Sequence, residues 1–118
     1  MDMTSPSSPL DLARMHESAQ QACALLKTLS NVDRLMLVCQ LAQGEKCVGE
    51  LEASLGIGQP TLSQQLGVLR ENQMVSTRRE GKNIYYRIAN EKALTLIHVL
   101  YTAYCQNESL SRCSLKGK

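Results

Sequence analysis

Val48-Gly49-Glu50-Leu51-Glu52-Ala53-Ser54-Leu55-Gly56-Ile57-Gly58-Gln59-Pro60-Thr61-Leu62-Ser63-Gln64-Gln65-Leu66-Gly67-Val68-Leu69-Arg70 is the stretch that decides the fold. Val48, Leu51 and Leu55 recur at helical spacing, and Leu62, Leu66 and Leu69 do so again after a turn carrying Gly56 and Gly58. Gln59 followed by Pro60 signals a helix start, with the proline expected at the first helical position. The face opposite the second set of leucines carries Thr61, Ser63, Gln64 and Gln65 in place of the Lys and Glu of an ordinary solvated surface. Short hydroxyl and amide groups near a helix N-terminus suit phosphates and base edges in a DNA major groove. The pattern predicts a helix-turn-helix whose second helix reads DNA. A plain αα-hairpin with a neutral surface is the competing reading.

The next segment separates the two. Met74-Val75-Ser76-Thr77-Arg78-Arg79 and Asn83-Ile84-Tyr85-Tyr86-Arg87-Ile88 are β-prone runs, joined at Glu80-Gly81-Lys82. Arg78, Arg79, Lys82 and Arg87 give this hairpin a basic character against the single acid Glu80. A charged hairpin alone is most often a solvated edge. Directly after a polar recognition helix, it is a wing that reaches the DNA backbone or minor groove. Gln59, Thr61, Ser63, Gln64, Gln65, Arg78, Arg79, Lys82, Asn83 and Arg87 are therefore the expected DNA-binding residues.

A chain of 118 residues is one domain, and with no Phe or Trp its core must be aliphatic. The net charge of +2 is unevenly distributed. Residues 1–55 hold four basic and seven acidic side chains, whereas residues 56–88 hold five basic and two acidic. The positive charge thus falls on the recognition helix and wing, where phosphates require it. No apolar run approaches a membrane span, and Met1-Asp2-Met3-Thr4-Ser5 lacks a secretory apolar region, so the expected location is the cytoplasm. No nucleophile–base set or phosphate-binding glycine loop is present, so no enzyme and no cofactor are expected.

Residues 1–8 are Ser/Pro-rich and expected to be disordered, residues 9–106 form the domain, and residues 107–118 read as a flexible tail. A first helix from Pro9 to about Leu29 carries Met15, Ala19, Ala22, Leu26 and Leu29 on one stripe. Ser30-Asn31 breaks it, and a second helix runs through Leu35, Met36, Leu37, Val38 and Leu41 to near Gly44. Asn90 caps a last helix that is apolar almost all round, from Leu94 to Tyr104. So small a domain cannot hide such a helix by itself, so one face is expected to meet the core and the other a second subunit. The order is ααααββα, mainly α with a small β-hairpin: a winged helix-turn-helix homodimer. Two-fold symmetry would set two recognition helices about one DNA turn apart, matching a palindromic operator in double-stranded DNA.

Cys23, Cys39, Cys47, Cys105 and Cys113 remain. A reducing compartment argues against a disulfide framework. Without a Cys-x-x-Cys or a His/Asp cluster, and with His98 alone on the last helix, no metal site is expected. The residues themselves support two readings equally: a cysteine switch, or inert thiols with Cys23 and Cys39 as small core hydrophobes. Electrostatics nominates Cys47 as the reactive thiol, because it stands at a helix N-terminus.

The whole pattern resembles the ArsR/SmtB repressors over about residues 20–106. Leu25-Leu26-Lys27-Thr28-Leu29-Ser30-Asn31 with Arg34-Leu35, Val48-Gly49-Glu50-Leu51, Gln59 to Leu66 and Tyr85-Tyr86-Arg87-Ile88 carry the likeness. Leu35 to Cys39, Gly56 to Glu71 and Leu100-Tyr101-Thr102-Ala103-Tyr104-Cys105 are similar to the BigR/SqrR/HlyU branch. That resemblance implies a dimeric repressor that senses reactive sulfur or oxidants through Cys39 and Cys105, with Cys47 as a possible adjunct. It also implies control of sulfide-detoxification or related genes. Metal and metalloid sensors of the family are the alternative, but Cys47-Val48-Gly49 has glycine where their second cysteine stands. From another class, a small cytosolic redox or metal-handling protein is the remaining alternative, its helix-turn-helix serving protein contacts only.

Overall fold

Asn31 divides the first two helices because its extended backbone (φ −150°, ψ 128°) cannot continue a helix, while its side chain accepts from the Arg34 N–H at 3.0 Å. In the computed structural model, which describes residues 9–106, α1 (Pro9–Leu29) ends there and α2 (Val32–Leu41) begins. The expected disordered segment 1–8 and flexible tail 107–118 lie outside the described residues. A short strand, β1 (Lys46–Cys47), precedes α3 (Val48–Leu55) and α4 (Thr61–Glu71), the two helices of the hairpin. The wing follows as β2 (Val75–Glu80) and β3 (Asn83–Ile88), and α5 (Glu91–Tyr101) is the last helix among the described residues, continuing as one π-helical turn over Thr102–Gln106.

Each boundary has a local cause. Gly56 ends α3 in the left-handed region (φ 69°), where a side chain would be strained. Asn90 caps α5 by accepting from the N–H groups of Lys92 (2.9 Å) and Ala93 (3.1 Å). The hairpin turn is narrower than expected. Strand pairing continues from Val75↔Ile88 to Glu80↔Asn83, leaving only Gly81 (φ 64°) and Lys82 to reverse the chain. Pro60 is not at the first helical position. It is the residue before the helix, with φ −90° and ψ 1°, preceded by a cis peptide bond from Gln59.

The expected order holds with one addition. β1 pairs antiparallel with β3, Lys46 opposite Tyr86 and Cys47 opposite Tyr85, so the sheet has three strands in the order β1-β3-β2. Two residues are too few to show an alternating pattern, and only the partner strand makes them a strand.

The core is aliphatic, as the composition requires. Leu37, Val38 and Leu41 of α2 meet Leu51 of α3, Leu62, Leu66 and Leu69 of α4, and Ala93 and Ile97 of α5. Leu29, Met74 and Val75 complete the cluster. Fully burying one leucine contributes roughly 1.5–3 kcal/mol, so the three leucines of α4 anchor that helix firmly and fix which face looks outward. The stripe on α1 is different. Only Leu29 of it is buried, while Leu12 (58% exposed), Met15 (51%) and Leu26 (52%) face outward from the chain. No helix among the described residues is long and apolar enough to cross a membrane.

Candidate nucleic-acid interface and cysteine pair

With Leu62, Leu66 and Leu69 inward, the helical period turns Ser63 and Gln64 fully outward and leaves Thr61 and Gln65 half-buried at the margins. These side chains are not equally available. The Ser63 hydroxyl donates to Gln59 Oε1, tying the residue before the proline to the first turn of α4. Gln65 Oε1 accepts from Arg34 Nη1 at 2.9 Å. Among the described residues the Gln64 side chain has no protein partner.

Arg34 is a residue that the sequence pattern missed. Its Nε donates to the Thr28 carbonyl at 2.6 Å, while Nη1 holds Gln65, so one guanidinium joins the end of α1 to α4. One signal could have exposed it. A cation in the first turn of a helix stands at the unfavourable end of the helix dipole, and such a placement calls for a partner elsewhere.

The four basic residues of the wing divide sharply. Arg78 Nε and Nη2 donate to Glu45 Oε2 and Oε1, each at 2.8 Å, and Nη1 pairs with Glu80. The guanidinium also lies over the Tyr85 ring, 4.7 Å from its centroid, on the neighbouring strand. The hydrogen bonds from Arg78 hold the Glu45 carboxyl below its ordinary pKa, and those carboxylates in turn push the Arg78 pKa up. Arg78 is thus fully engaged by two carboxylates. Arg79 and Lys82 are exposed at the tip and have no side-chain partner among the described residues. Asn83 is exposed beside them, and Arg87 makes a long bond to Ser76 Oγ at 3.4 Å and adds to the positive charge acting on Glu45.

Cys113 lies outside the described residues, and none of the four described cysteines is in the core. Cys23 and Cys39 are both exposed on the chain, which overturns the reading of them as core hydrophobes. On α2 the buried positions are Leu37, Val38 and Leu41, and Cys39 falls well outside that arc. Cys39 is nonetheless crowded. Desolvation first, and the charge of the Cys105 thiolate second, push its pKa above the ordinary thiol value. The fold therefore brings Cys39 of α2 and Cys105 of the terminal π turn within electrostatic reach. Cys47 stands elsewhere, half-buried at the junction of β1 and α3, where its N–H donates to Glu50 Oε1 at 2.9 Å. Among the described residues no group of three or more His, Cys, Asp or Glu side chains is placed to hold a metal ion.

Two helices joined through a left-handed glycine, a polar second helix on a leucine base, and an antiparallel ribbon with a cationic tip define a winged helix-turn-helix regulator. Residues 31–77 match the family described as bacterial regulatory protein, arsR family. The chain is 56% identical over 105 residues to the biofilm growth-associated repressor of Agrobacterium fabrum, covering 85% of this chain and 90% of that protein. The crystal structure of the transcriptional repressor BigR from Xylella fastidiosa superposes with a TM-score of 0.75 at 57% identity, over 79% of this chain and 95% of that one. A homodimeric winged helix-turn-helix DNA-binding domain from Mycobacterium bovis superposes with a TM-score of 0.67 at 29% identity, over 92% and 94% of the two chains. The chain belongs to the ArsR family. Its relatives are regulators of transcription, not enzymes.

Proposed function

We propose that residues 9–106 act as a cytoplasmic, homodimeric transcriptional repressor that leaves its operator when Cys39 and Cys105 are joined through sulfur. The repressor reading is supported by the outward polar face of α4, the cations Arg79 and Lys82, which have no side-chain partner among the described residues, and the two relatives named as repressors. The dimer is supported by apolar side chains left uncovered among the described residues. Val99 (57%), Tyr101 (56%) and Tyr104 (68%) on α5 and the turn after it are exposed, as are Leu12, Met15 and Leu26 on α1. The homodimeric neighbour from Mycobacterium bovis has the same fold.

What supports the switch is that Cys105, on the π turn after α5, lies near enough to Cys39 of α2 to help raise the Cys39 pKa. One thiolate attacks a sulfur–sulfur bond of a polysulfide, forming a mixed polysulfide and expelling one sulfide fragment. The second thiolate attacks that adduct and expels the other fragment. The two cysteines are thereby oxidised, the polysulfide is reduced, and sulfur atoms are retained in the bridge. A bridge with inserted sulfur spans a separation that a simple disulfide does not tolerate, which would favour polysulfide over ordinary oxidants. Tying α2 to the end of α5 would move the recognition helices off operator spacing, with an effect of ~1–3 kcal/mol.

The test uses duplexes selected from a randomised library by the reduced protein. Polysulfide should release the unmodified protein from them and add the mass of a sulfur-bridged Cys39–Cys105 pair. Cys39→Ser and Cys105→Ser should each bind DNA normally and fail to release. Normal release by both variants would remove the switch, while the absence of any selected duplex would remove the repressor itself.

A further inference from the structure

The contact between Arg34 and Gln65 has a chemical consequence for what α4 can recognise. A guanidinium has five N–H donors and no acceptor, so only the oxygen end of the Gln65 carboxamide can face it. This settles an orientation that a glutamine otherwise leaves open. The nitrogen end has no protein partner among the described residues, and Gln65 sits half-buried at the edge of the exposed face of α4. Arg34 is itself held by its 2.6 Å bond to the Thr28 carbonyl, so it cannot follow a flipping amide without losing that second contact.

We infer that Arg34 is a positioning residue for base recognition: it locks the Gln65 carboxamide so that α4 offers an N–H donor to an acceptor atom on a base edge in the major groove. Such acceptors are N7 and O6 of guanine, N7 of adenine and O4 of thymine, whereas cytosine presents a donor there. Gln65 therefore discriminates against cytosine at one position of each half-site, and Arg34, which touches no base, decides that discrimination. This rests on the DNA-reading role proposed above.

Binding of a randomised duplex library, followed by sequencing, measures base preference position by position for the full-length protein and two variants. Gln65→Glu retains an oxygen for Arg34 and replaces the outward donor by an acceptor. It should melt no lower than the parent, while preference at one position per half-site moves toward cytosine by about tenfold. Arg34→Met keeps the aliphatic stem and removes every donor. Preference at that same position should flatten, with the other positions retained. A purely structural role for Arg34 would weaken all positions equally. Either that uniform loss or an unchanged profile in Gln65→Glu overturns the inference, and Gln65→Glu decides alone if Arg34→Met does not fold. A parent protein that enriches no sequence overturns the DNA-reading role itself.

Discussion

Arg78 and Glu45 form a two-pronged clasp, Nε and Nη2 each 2.8 Å from a carboxylate oxygen, that joins the first wing strand to the loop after α2. A fork of parallel charged hydrogen bonds constrains direction as well as distance, so the clasp sets how the wing leaves the body of the domain. It also withdraws one cation from the group that phosphates could use.

Glu45→Gln should loosen the wing and leave Arg78 held by Glu80 alone, making its charge more available to phosphates. Amide exchange over residues 75–88 should accelerate, and non-specific DNA binding should become more salt-dependent, with a slope steeper by up to about 0.9. The acid dependence follows from the lowered Glu45 pKa. A depressed carboxylate contributes its stabilisation above the ordinary carboxylate range and loses it only as pH falls through the lower, folded value. Wing exchange should therefore stay slow on acidification until below the range where free carboxylates titrate, and Glu45→Gln should abolish that dependence.

Gln64 and Arg79 should separate specificity from affinity. Gln64 is outward on α4 with no side-chain partner among the described residues, and Gln64→Ala should weaken binding to a selected duplex by roughly 1–3 kcal/mol while relaxing one base position. Arg79→Ala should weaken selected and unrelated duplexes alike and flatten the salt dependence. Titrations at several salt concentrations distinguish the two patterns.

Assembly is best probed at Val99. Leu100 is half-buried against its own chain, so a charge there perturbs folding as well as association, whereas Val99 is 57% exposed. Val99→Asp should leave the protein folded by circular dichroism but monomeric by light scattering, because an unpaired charge buried at an interface costs several kcal/mol. Operator affinity should fall with the loss of the dimer. A folded monomer in the unmodified protein would contradict the two-fold assembly.

The cysteines should differ in their response to pH. Burial and Cys105 raise the Cys39 pKa, so alkylation of Cys39 should have its midpoint above the ordinary thiol value, and Cys105→Ser should lower that midpoint part of the way. Cys23→Ser and Cys113→Ser should behave as the parent in polysulfide release. If Cys47→Ser alone removed the response, the helix-terminus argument would be the better guide, and the assignment to Cys39 and Cys105 would fall.

The helices, their caps and the hairpin were legible because their causes are local. Leu62, Leu66 and Leu69 announce a buried stripe by spacing, Asn31 and Asn90 mark helix starts by chemistry, and Gly56 and Gly81 occupy backbone positions with positive φ. Pro60 was misplaced by one residue, since a proline suits both the residue before a helix and its first turn. The strand β1 escaped notice because Lys46 and Cys47 acquire strand character only beside Tyr86 and Tyr85.

The amino-acid sequence by itself determined a winged helix-turn-helix, its aliphatic core and the polar face of α4. Periodicity and capping act over a few residues, and that range was sufficient. The tertiary structure alone decided which members of that face and wing are free. Arg78 looked equivalent to Arg79 until Glu45, 33 positions away, was found to hold it, and Gln65 looked equivalent to Gln64 until Arg34, 31 positions away, was found against it. Cys39 and Cys105 likewise come within electrostatic reach only through the packing of α2 and the π turn that follows α5. A charge or an amide has no local signature that reveals its partner, because an ion pair or hydrogen bond depends on angstrom-scale distance and direction that only the assembled fold supplies.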